Sequence, residues 1–173
     1  MNPQVDKIVE NDHELTFTLS GVDVSLANAV RRTIISDIPS VVFKTSPHEQ
    51  NKSVFITNTS RLHNEILKQR LSCIPIHIKD VEGYPHKNYI MELNVENLTD
   101  STLYVTSKDF VVKDVATGKP VSKDENLALF PPDSYTDCFI DFVRLRPKLS
   151  DEIPGEKIHL MWAFYFLRHL PAT

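Results

Sequence analysis

Cys73 and His77 are the residues of this chain whose types and spacing come nearest to nucleophilic catalysis. A thiol four residues before an imidazole can be activated by it when both lie on one helix face. Pro75 stands between them, however, and a proline prevents the helix that would align the two side chains. A cysteine beside Ile74 and Pro75 is instead expected to be buried, inert packing. A small hydrolase that uses Cys73 is therefore a third functional class, and it requires that thiol to be both exposed and activated as a thiolate.

Other catalytic and metal-binding patterns are equally weak. Asp12, His13 and Glu14 lie side by side and could suggest acid–base work. They directly precede a predicted strand, so we interpret them as a solvated turn. The seven histidines are scattered without ligand spacing, the two cysteines lie far apart, and the four glycines form no phosphate loop. The sequence therefore predicts no active site, no metal and no cofactor.

The charge and composition narrow the class of protein. The chain has 173 residues, enough for one compact domain or two small ones, and a net charge of -4. Domains that bind nucleic acid directly usually carry a basic excess, so we expect contact with DNA only through partners.

The sequence also bears on location. Residues 1–15 contain no apolar segment like that of a signal peptide. The longest apolar run, Ile158 to Leu167, is about half the length of a membrane span. We therefore expect an intracellular location, in nucleus or cytoplasm, and no membrane partner.

Two amphipathic helices are the elements that would position any functional side chains. In the first, Leu26, Val30 and Ile34 recur every four residues. Asp23 or Ser25 can cap this helix, and Pro39 ends it.

The second predicted helix runs to about Leu71, with Asn58, Thr59 or Ser60 as its cap and Pro75 as its stop. Its apolar positions are mostly core residues that lie on a sheet; they are Leu62, Ile66, Leu67, Leu71 and Ile74.

Strand patterns surround the helices and dominate after Ile78. Alternation of apolar and polar residues, with turn residues between the runs, predicts a half-buried first strand and a β-rich second part. The predicted strands are His13–Leu19, Val41–Phe43, Ser53–Ile56, Tyr89–Val95, Thr102–Thr106, Phe110–Lys113, Tyr135–Phe142 and Lys157–Leu167.

Asn28, Arg31 and Arg32 are the polar residues of the first helix that could carry function. Adjacent arginines on a helix point about 100° apart, so at least one can leave the core. The guanidinium group suits carboxylates and carbonyls at interfaces. From composition alone, a solvated helix face is the favoured interpretation.

Three segments together resemble the assembly subunits of cellular RNA polymerases. They are Ser25–Pro39, Arg61–Ile76 and the short step Ser107–Phe110. That family comprises bacterial alpha, archaeal D and the third-largest eukaryotic subunit. The resemblance implies an α+β fold, with residues 1–78 as the N-terminal part of an alpha-like dimerisation domain (two helices on an antiparallel sheet). Residues 79–173 would be an inserted β-rich domain, apparently cut short.

The resemblance also implies a function in transcription. Such a subunit is not catalytic: it pairs with a smaller alpha-like subunit and docks the second-largest catalytic subunit of a DNA-directed RNA polymerase, near a small zinc-binding subunit. The resemblance also reverses the interpretation of the first helix, because its Asn-x-x-Arg-Arg stretch would then lie in the subunit contact. The predicted interface residues are Leu26, Asn28, Val30, Arg31, Arg32, Ile34, Ile35, Arg61, Ile66 and Arg70.

The chain departs from the family pattern in two respects. It ends within what should be the insertion, so we expect that residues 1–173 alone do not form a stable monomer. It also lacks the cysteine clusters with which some family members hold an iron–sulfur cluster or zinc. Its compactness favours an origin in a large DNA virus, in which case the protein would be packaged in the virion. The main alternative is a stand-alone β-rich protein-interaction domain without a polymerase role. Whether pairing is homomeric or heteromeric stays open.

Overall fold

A computed structural model describes residues 2–11, 14–45, 49, 51–78, 80–150 and 152–167. The chain divides into two compact units, one within Met1–Pro39 and the other spanning Ser40–Leu167. Its elements, in chain order, are β1 (Gln4–Asn11), β2 (Glu14–Ser20), α1 (Val24–Ser36), β3 (Ser40–Val42), β4 (Ser53–Asn58), α2 (Asn64–Ser72), β5 (Tyr89–Glu96), β6 (Leu103–Thr106), β7 (Val111–Asp114), α3 (Lys123–Leu129), β8 (Asp141–Leu145), β9 (Lys157–Ala163) and β10 (Tyr165–Leu167).

The first unit contains an antiparallel hairpin followed by α1. In the hairpin Val5 of β1 lies opposite Leu19 of β2, and Asn11 opposite Glu14. The register shifts between Asp6 and Val9, where Lys7 has a φ of 52°. A residue in this left-handed region accommodates the extra residue of a bulge, which bends the strand.

The second unit is built on a four-stranded antiparallel sheet in the order β4-β9-β5-β7. The apolar segment after Lys157 forms β9, which pairs with β4 on one side and β5 on the other. Ile158, Leu160 and Trp162 are buried, and the residues between them are half-buried. Because β9 is central, its main-chain groups are used by the two neighbouring strands.

Two strand pairs, α2 and α3 complete this unit. β3 pairs with β10, and β6 pairs with β8, both antiparallel. From α2, Leu67 and Leu71 are fully buried. They join a core rich in aromatic rings, whose members include Phe43, Phe110, Phe130, Phe142, Trp162 and Phe164. All the buried apolar residues of the described chain lie in this second unit.

The structure confirms the α+β class with antiparallel sheets, and both predicted helices are present. The predicted strand over Tyr135–Phe142 is wrong in its first part, since β8 begins only at Asp141. The cause is the Asp133 carboxylate, which accepts bonds from the N–H groups of Tyr135 and Thr136 and folds the segment into a turn. The predicted strand over Lys157–Leu167 is interrupted at Phe164.

The predicted cap of α2 is also wrong. The N-cap residue is His63, whose side chain makes no capping bond. The Asn58 side chain instead accepts from the N–H of Ser60 at 3.0 Å and donates to the carbonyl of Leu62 at 2.8 Å. These bonds hold the chain in a turn ahead of the helix, so α2 starts later than expected.

Two elements of the structure, β1 and α3, were not predicted from the sequence. The domain boundary expected at residue 78 stays a prediction, and it differs from the division between the compact units at Pro39. Among the described residues, no helix is long and apolar enough to cross a membrane. Asp12 and His13 of the acid–base candidate lie outside the described residues.

Candidate subunit interface

α1 begins at a side-chain cap and ends just before a proline. The Asp23 carboxylate accepts hydrogen bonds from the hydroxyl and the main-chain N–H of Ser25, the latter at 2.8 Å. The bond from the hydroxyl, and to a smaller extent that from the N–H, holds the pKa of the Asp23 carboxyl below its ordinary value. At the other end the N–H of Asp37 donates to the carbonyl of Thr33 at 2.9 Å, two residues before Pro39. Of the two caps predicted, Asp23 is therefore the one used.

The apolar stripe of α1 is uncovered. Leu26 and Val30 each expose 45% of their surface, Ile34 exposes 54% and Ile35 exposes 73%. No residue of the helix is buried. A surface helix normally covers such a stripe against a core, so a stripe left in water marks a site of interaction.

Asn28 and Arg31 form a fixed polar pair on α1, with Arg31 nearer to the stripe and Asn28 on the far side of the helix. The Oδ1 atom of Asn28 accepts from Nε of Arg31 at 3.1 Å and from Nη2 at 2.9 Å. The bonds hold the guanidinium against the helix, while its remaining N–H groups have no acceptor among the described residues. Arg32 is exposed, and the described residues give its side chain no partner. At 100° per residue, Arg32 points away from the side on which Val30 lies.

The hairpin of the first unit exposes a second set of apolar side chains. β1 is exposed throughout, and so is nearly all of β2. The large exposed side chains are Val5, Ile8, Val9, Leu15 and Phe17. The interface prediction did not include these residues. In β2 the alternation of apolar residues was a usable signal, whereas in β1 the bulge disrupts it.

The predicted interface residues of the second helix behave differently from one another. Ile66 exposes 44% of its surface, while its neighbour Leu67 is fully buried. Arg61 is exposed, and its side chain has no partner within the described part of the chain. These residues belong to the second compact unit, whereas the α1 residues belong to the first.

Arg70 is held within its own unit. Its Nε atom donates to the carbonyl oxygen of Phe142 at 2.8 Å, and Nη2 donates to that of Asp141 at 2.8 Å. Two of its five N–H groups are thus used in joining α2 to β8. Arg70 therefore has a structural role in the second unit, which its sequence pattern does not indicate.

The prediction that Cys73 is buried is wrong. Cys73 is exposed because it follows the last residue of α2, with its main-chain N–H turned back to the carbonyl of Arg70 at 3.1 Å. Cys138 is also exposed and free. In the part of the chain that the structure describes, no group of three or more His, Cys, Asp or Glu side chains could hold a metal ion.

Comparison with known proteins identifies the family. The model of the RNA polymerase Rpb3/Rpb11 dimerisation domain matches residues 16–129, more than half of the chain. The chain belongs to this family. The matched region includes α1 and α2, the helices on which the resemblance to polymerase assembly subunits was based.

Individual relatives agree with the family assignment. The chain is 30% identical over 160 residues to the DNA-directed RNA polymerases I and III subunit rpac1 of Dictyostelium discoideum, an alignment that covers 91% of this chain and 43% of that protein. It is 33% identical over 130 residues to subunit 3B of RNA polymerases IV and V of Arabidopsis thaliana (66% of this chain, 38% of the relative).

A third relative is also a subunit of a DNA-directed RNA polymerase. The RNA polymerase subunit Rpo3 of Thermococcus kodakarensis is 34% identical over 87 residues, which is 50% of this chain and 29% of that protein. The chain thus spans less than half the length of each of these three relatives. The viral origin suggested by its compactness stays a prediction.

Proposed function

We propose that this chain is a non-catalytic assembly subunit of a multisubunit DNA-directed RNA polymerase. Membership of the Rpb3/Rpb11 family supports the polymerase role. The observation that carries the proposal is the uncovered apolar stripe of α1, formed by Leu26, Val30 and Ile34. In a family whose defining domain is a dimerisation domain, such a stripe is the surface expected to face another subunit.

The partner we propose for α1 is a smaller alpha-like subunit. The stripe would supply apolar burial, and Arg31, fixed by Asn28, would supply directional hydrogen bonds at its border. Ile35 and Arg32, which lie on other faces of the helix, would extend the contact around it.

The assembled pair would then dock the second-largest catalytic subunit, with a small zinc-binding subunit nearby. Arg61 and Ile66, both exposed, are the residues we assign to this second contact. The chain would contact DNA only through these partners, in agreement with its net charge of -4.

Co-expression with an alpha-like subunit from the same source tests the pairing. Val30→Glu places a charge in the stripe and should abolish the complex on size-exclusion chromatography. Val54→Glu is the matched control, since Val54 is a similarly exposed valine of the second unit (57%). Equal complex formation by the unaltered chain and Val30→Glu would contradict the proposed interface.

One observation favours the alternative of a stand-alone β-rich interaction domain. The buried apolar core of the described residues lies entirely in the second unit, which therefore has the packing of an independent domain. Hydrogen exchange of the α1 amides in the native assembly separates the two functions. Protection of residues 24–36 beyond that in the free chain supports the assembly role, and unchanged exchange supports the alternative.

A further inference from the structure

A row of cations and aromatic rings follows β8 on the surface of the second unit. We name it the β8 stripe, and its members are Tyr104, Lys108, Phe139, Asp141 and Arg144. Tyr104 and Arg144 are cross-strand partners on β6 and β8. Lys108 and Phe139 adjoin them, because the main-chain N–H of Ser107 donates to the carbonyl of Ile140 at 2.9 Å. All members of the stripe belong to the second unit, and the function we assign to it does not depend on the proposed polymerase role.

A β-bulge builds this arrangement. Val105 pairs with Val143, whereas Thr106 pairs with Asp141, so Phe142 is an extra residue in β8. Phe142 and Val143 are consecutive and both buried, which a regular strand does not allow. The bulge thereby places Asp141 and Arg144, three residues apart, on the same outward side.

Each aromatic ring of the stripe carries a cation over its face. The guanidinium carbon of Arg144 lies 4.8 Å from the centre of the Tyr104 ring, and Nζ of Lys108 lies 5.8 Å from that of Phe139. These contacts hold two long side chains in place, so less rotational freedom is lost when they bind an anion.

The named members of the stripe carry two positive charges and one negative charge, although the whole chain is negative. Asp141 is its single carboxylate, and it lies 3.7 Å from Arg144 with both side chains more than half exposed. Such an exposed pair contributes little. Arg70 adds a third cation where it donates to the Asp141 carbonyl. A positive row on a protein of net charge -4 is a local feature that the average composition does not explain.

We propose that the β8 stripe binds an extended acidic segment of a partner protein, whose carboxylates pair with Arg144 and Lys108. A guanidinium that stacks on a ring keeps its N–H edge free, and this edge matches a carboxylate in two parallel hydrogen bonds. Binding of single-stranded nucleic acid is less favoured, since bases need open ring faces and here cations cover a face of each ring.

Fluorescence anisotropy of a labelled oligoglutamate peptide with the full chain at low salt tests this inference. Arg144→Gln and Lys108→Gln should each lower the affinity about two- to fivefold. Asp141→Asn should raise it, because the competing carboxylate is removed. The control Lys119→Gln changes the charge equally in an exposed loop elsewhere and should leave the affinity unchanged. Binding should also weaken as salt screens the charges.

Three results would overturn the proposal. The first is no binding of oligoglutamate at low salt by the unaltered chain. The second is binding that Asp141→Asn fails to strengthen, or that Lys119→Gln weakens as much as Arg144→Gln. The third is tighter binding of a single-stranded oligouridine through Arg144 and Lys108, which would assign the stripe to nucleic acid. The gain expected for Asp141→Asn keeps the test decisive even if Arg144→Gln disturbs the fold, which circular dichroism would report.

Discussion

The guanidinium of Arg70 donates to the carbonyl of Phe142, the extra residue in the bulge of β8, at 2.8 Å. A bulge leaves its main-chain groups without regular partners in the ladder. Arg70 supplies one N–H donor to the carbonyl of Phe142 and another to the carbonyl of Asp141. A side chain of α2 thus completes the hydrogen bonding of a strand that begins 71 residues later in the sequence. Helix packing and strand shape are thereby linked in the second unit.

Arg70→Ala should destabilise the chain by about 1 to 3 kcal/mol, because the β8 carbonyls lose charged donors. Arg70→Lys should restore little, since an ammonium group cannot reproduce the two-pronged geometry. Urea unfolding measures both changes. Arg61→Ala, at an exposed arginine next to α2, is the control and should stay within about 0.5 kcal/mol. Equal stabilities of Arg70→Ala and Arg61→Ala would show that the bonds to β8 contribute nothing.

Gly155→Ala should destabilise the second unit by more than about 2 kcal/mol, because the fold there leaves no room for a side chain. A Cβ atom at this position would overlap the carbonyl oxygen of Asn97, and main chain cannot rotate away. Gly118→Ala provides the comparison. Gly118 has a φ of 66°, but a Cβ atom there would meet nothing within 4 Å, so only backbone strain, about 1 kcal/mol, is expected. Thermal unfolding that ranks Gly118→Ala as the more harmful would refute this account.

Acid should weaken the four-stranded sheet through Glu92. The hydrogen bond from Lys113 holds the pKa of Glu92 below its ordinary value of 4.5; burial opposes this shift, and a further bond from His159 at 2.8 Å supports it. Because the folded-state pKa is the lower one, the stabilisation is fully present above pH 4.5 and is lost as the pH falls through the folded-state value.

Unfolding measured against pH with Glu92→Gln checks this prediction for Glu92. In Glu92→Gln, the free energy of unfolding should fall less than in the unaltered chain as the pH drops below the ordinary glutamate pKa. Glu96→Gln, which alters a more exposed ion pair with Lys157, should change this acid dependence less. Identical acid profiles for the unaltered chain and Glu92→Gln would contradict the role of this carboxylate.

Replacing both Arg31 and Arg32 with alanine should weaken assembly at least about fivefold while the fold stays intact. The reason is that both side chains are exposed on α1, and among the described residues the guanidinium of Arg31 bonds only to Asn28. Co-purification with the catalytic subunits measures assembly, and circular dichroism checks the fold. The control variant, Lys119→Ala with Lys123→Ala, also removes two positive charges, but from the second unit. Full recovery of the catalytic subunits with the double arginine variant would count against the proposed contact.

The two helices were predictable because each carries its signals locally. Leu26, Val30 and Ile34 recur at helical spacing between a capping aspartate and Pro39, and α2 ends before Pro75 in the same way. Residues 157–163 were predictable as strand because their apolar character on both faces suits a central strand.

Elements whose signals are interrupted or depend on distant contacts were missed. The pattern of β1 is disturbed by the bulge at Lys7, so its apolar residues do not alternate. α3 is short, although the Ser122 hydroxyl accepts from the N–H of Glu125 in a capping arrangement that the sequence did offer. The bonds of Arg70 to β8 and the exposure of Cys73 depend on tertiary structure, and no local pattern encodes them.

The assembly role can be tested by purifying the tagged chain from its native source at low salt and identifying the accompanying proteins by mass spectrometry. We expect two very large subunits and a smaller alpha-like subunit to accompany the unaltered chain and the Val54→Glu control, and to be lost with Val30→Glu. Recovery of the unaltered chain alone, or with unrelated proteins, would contradict the assembly role.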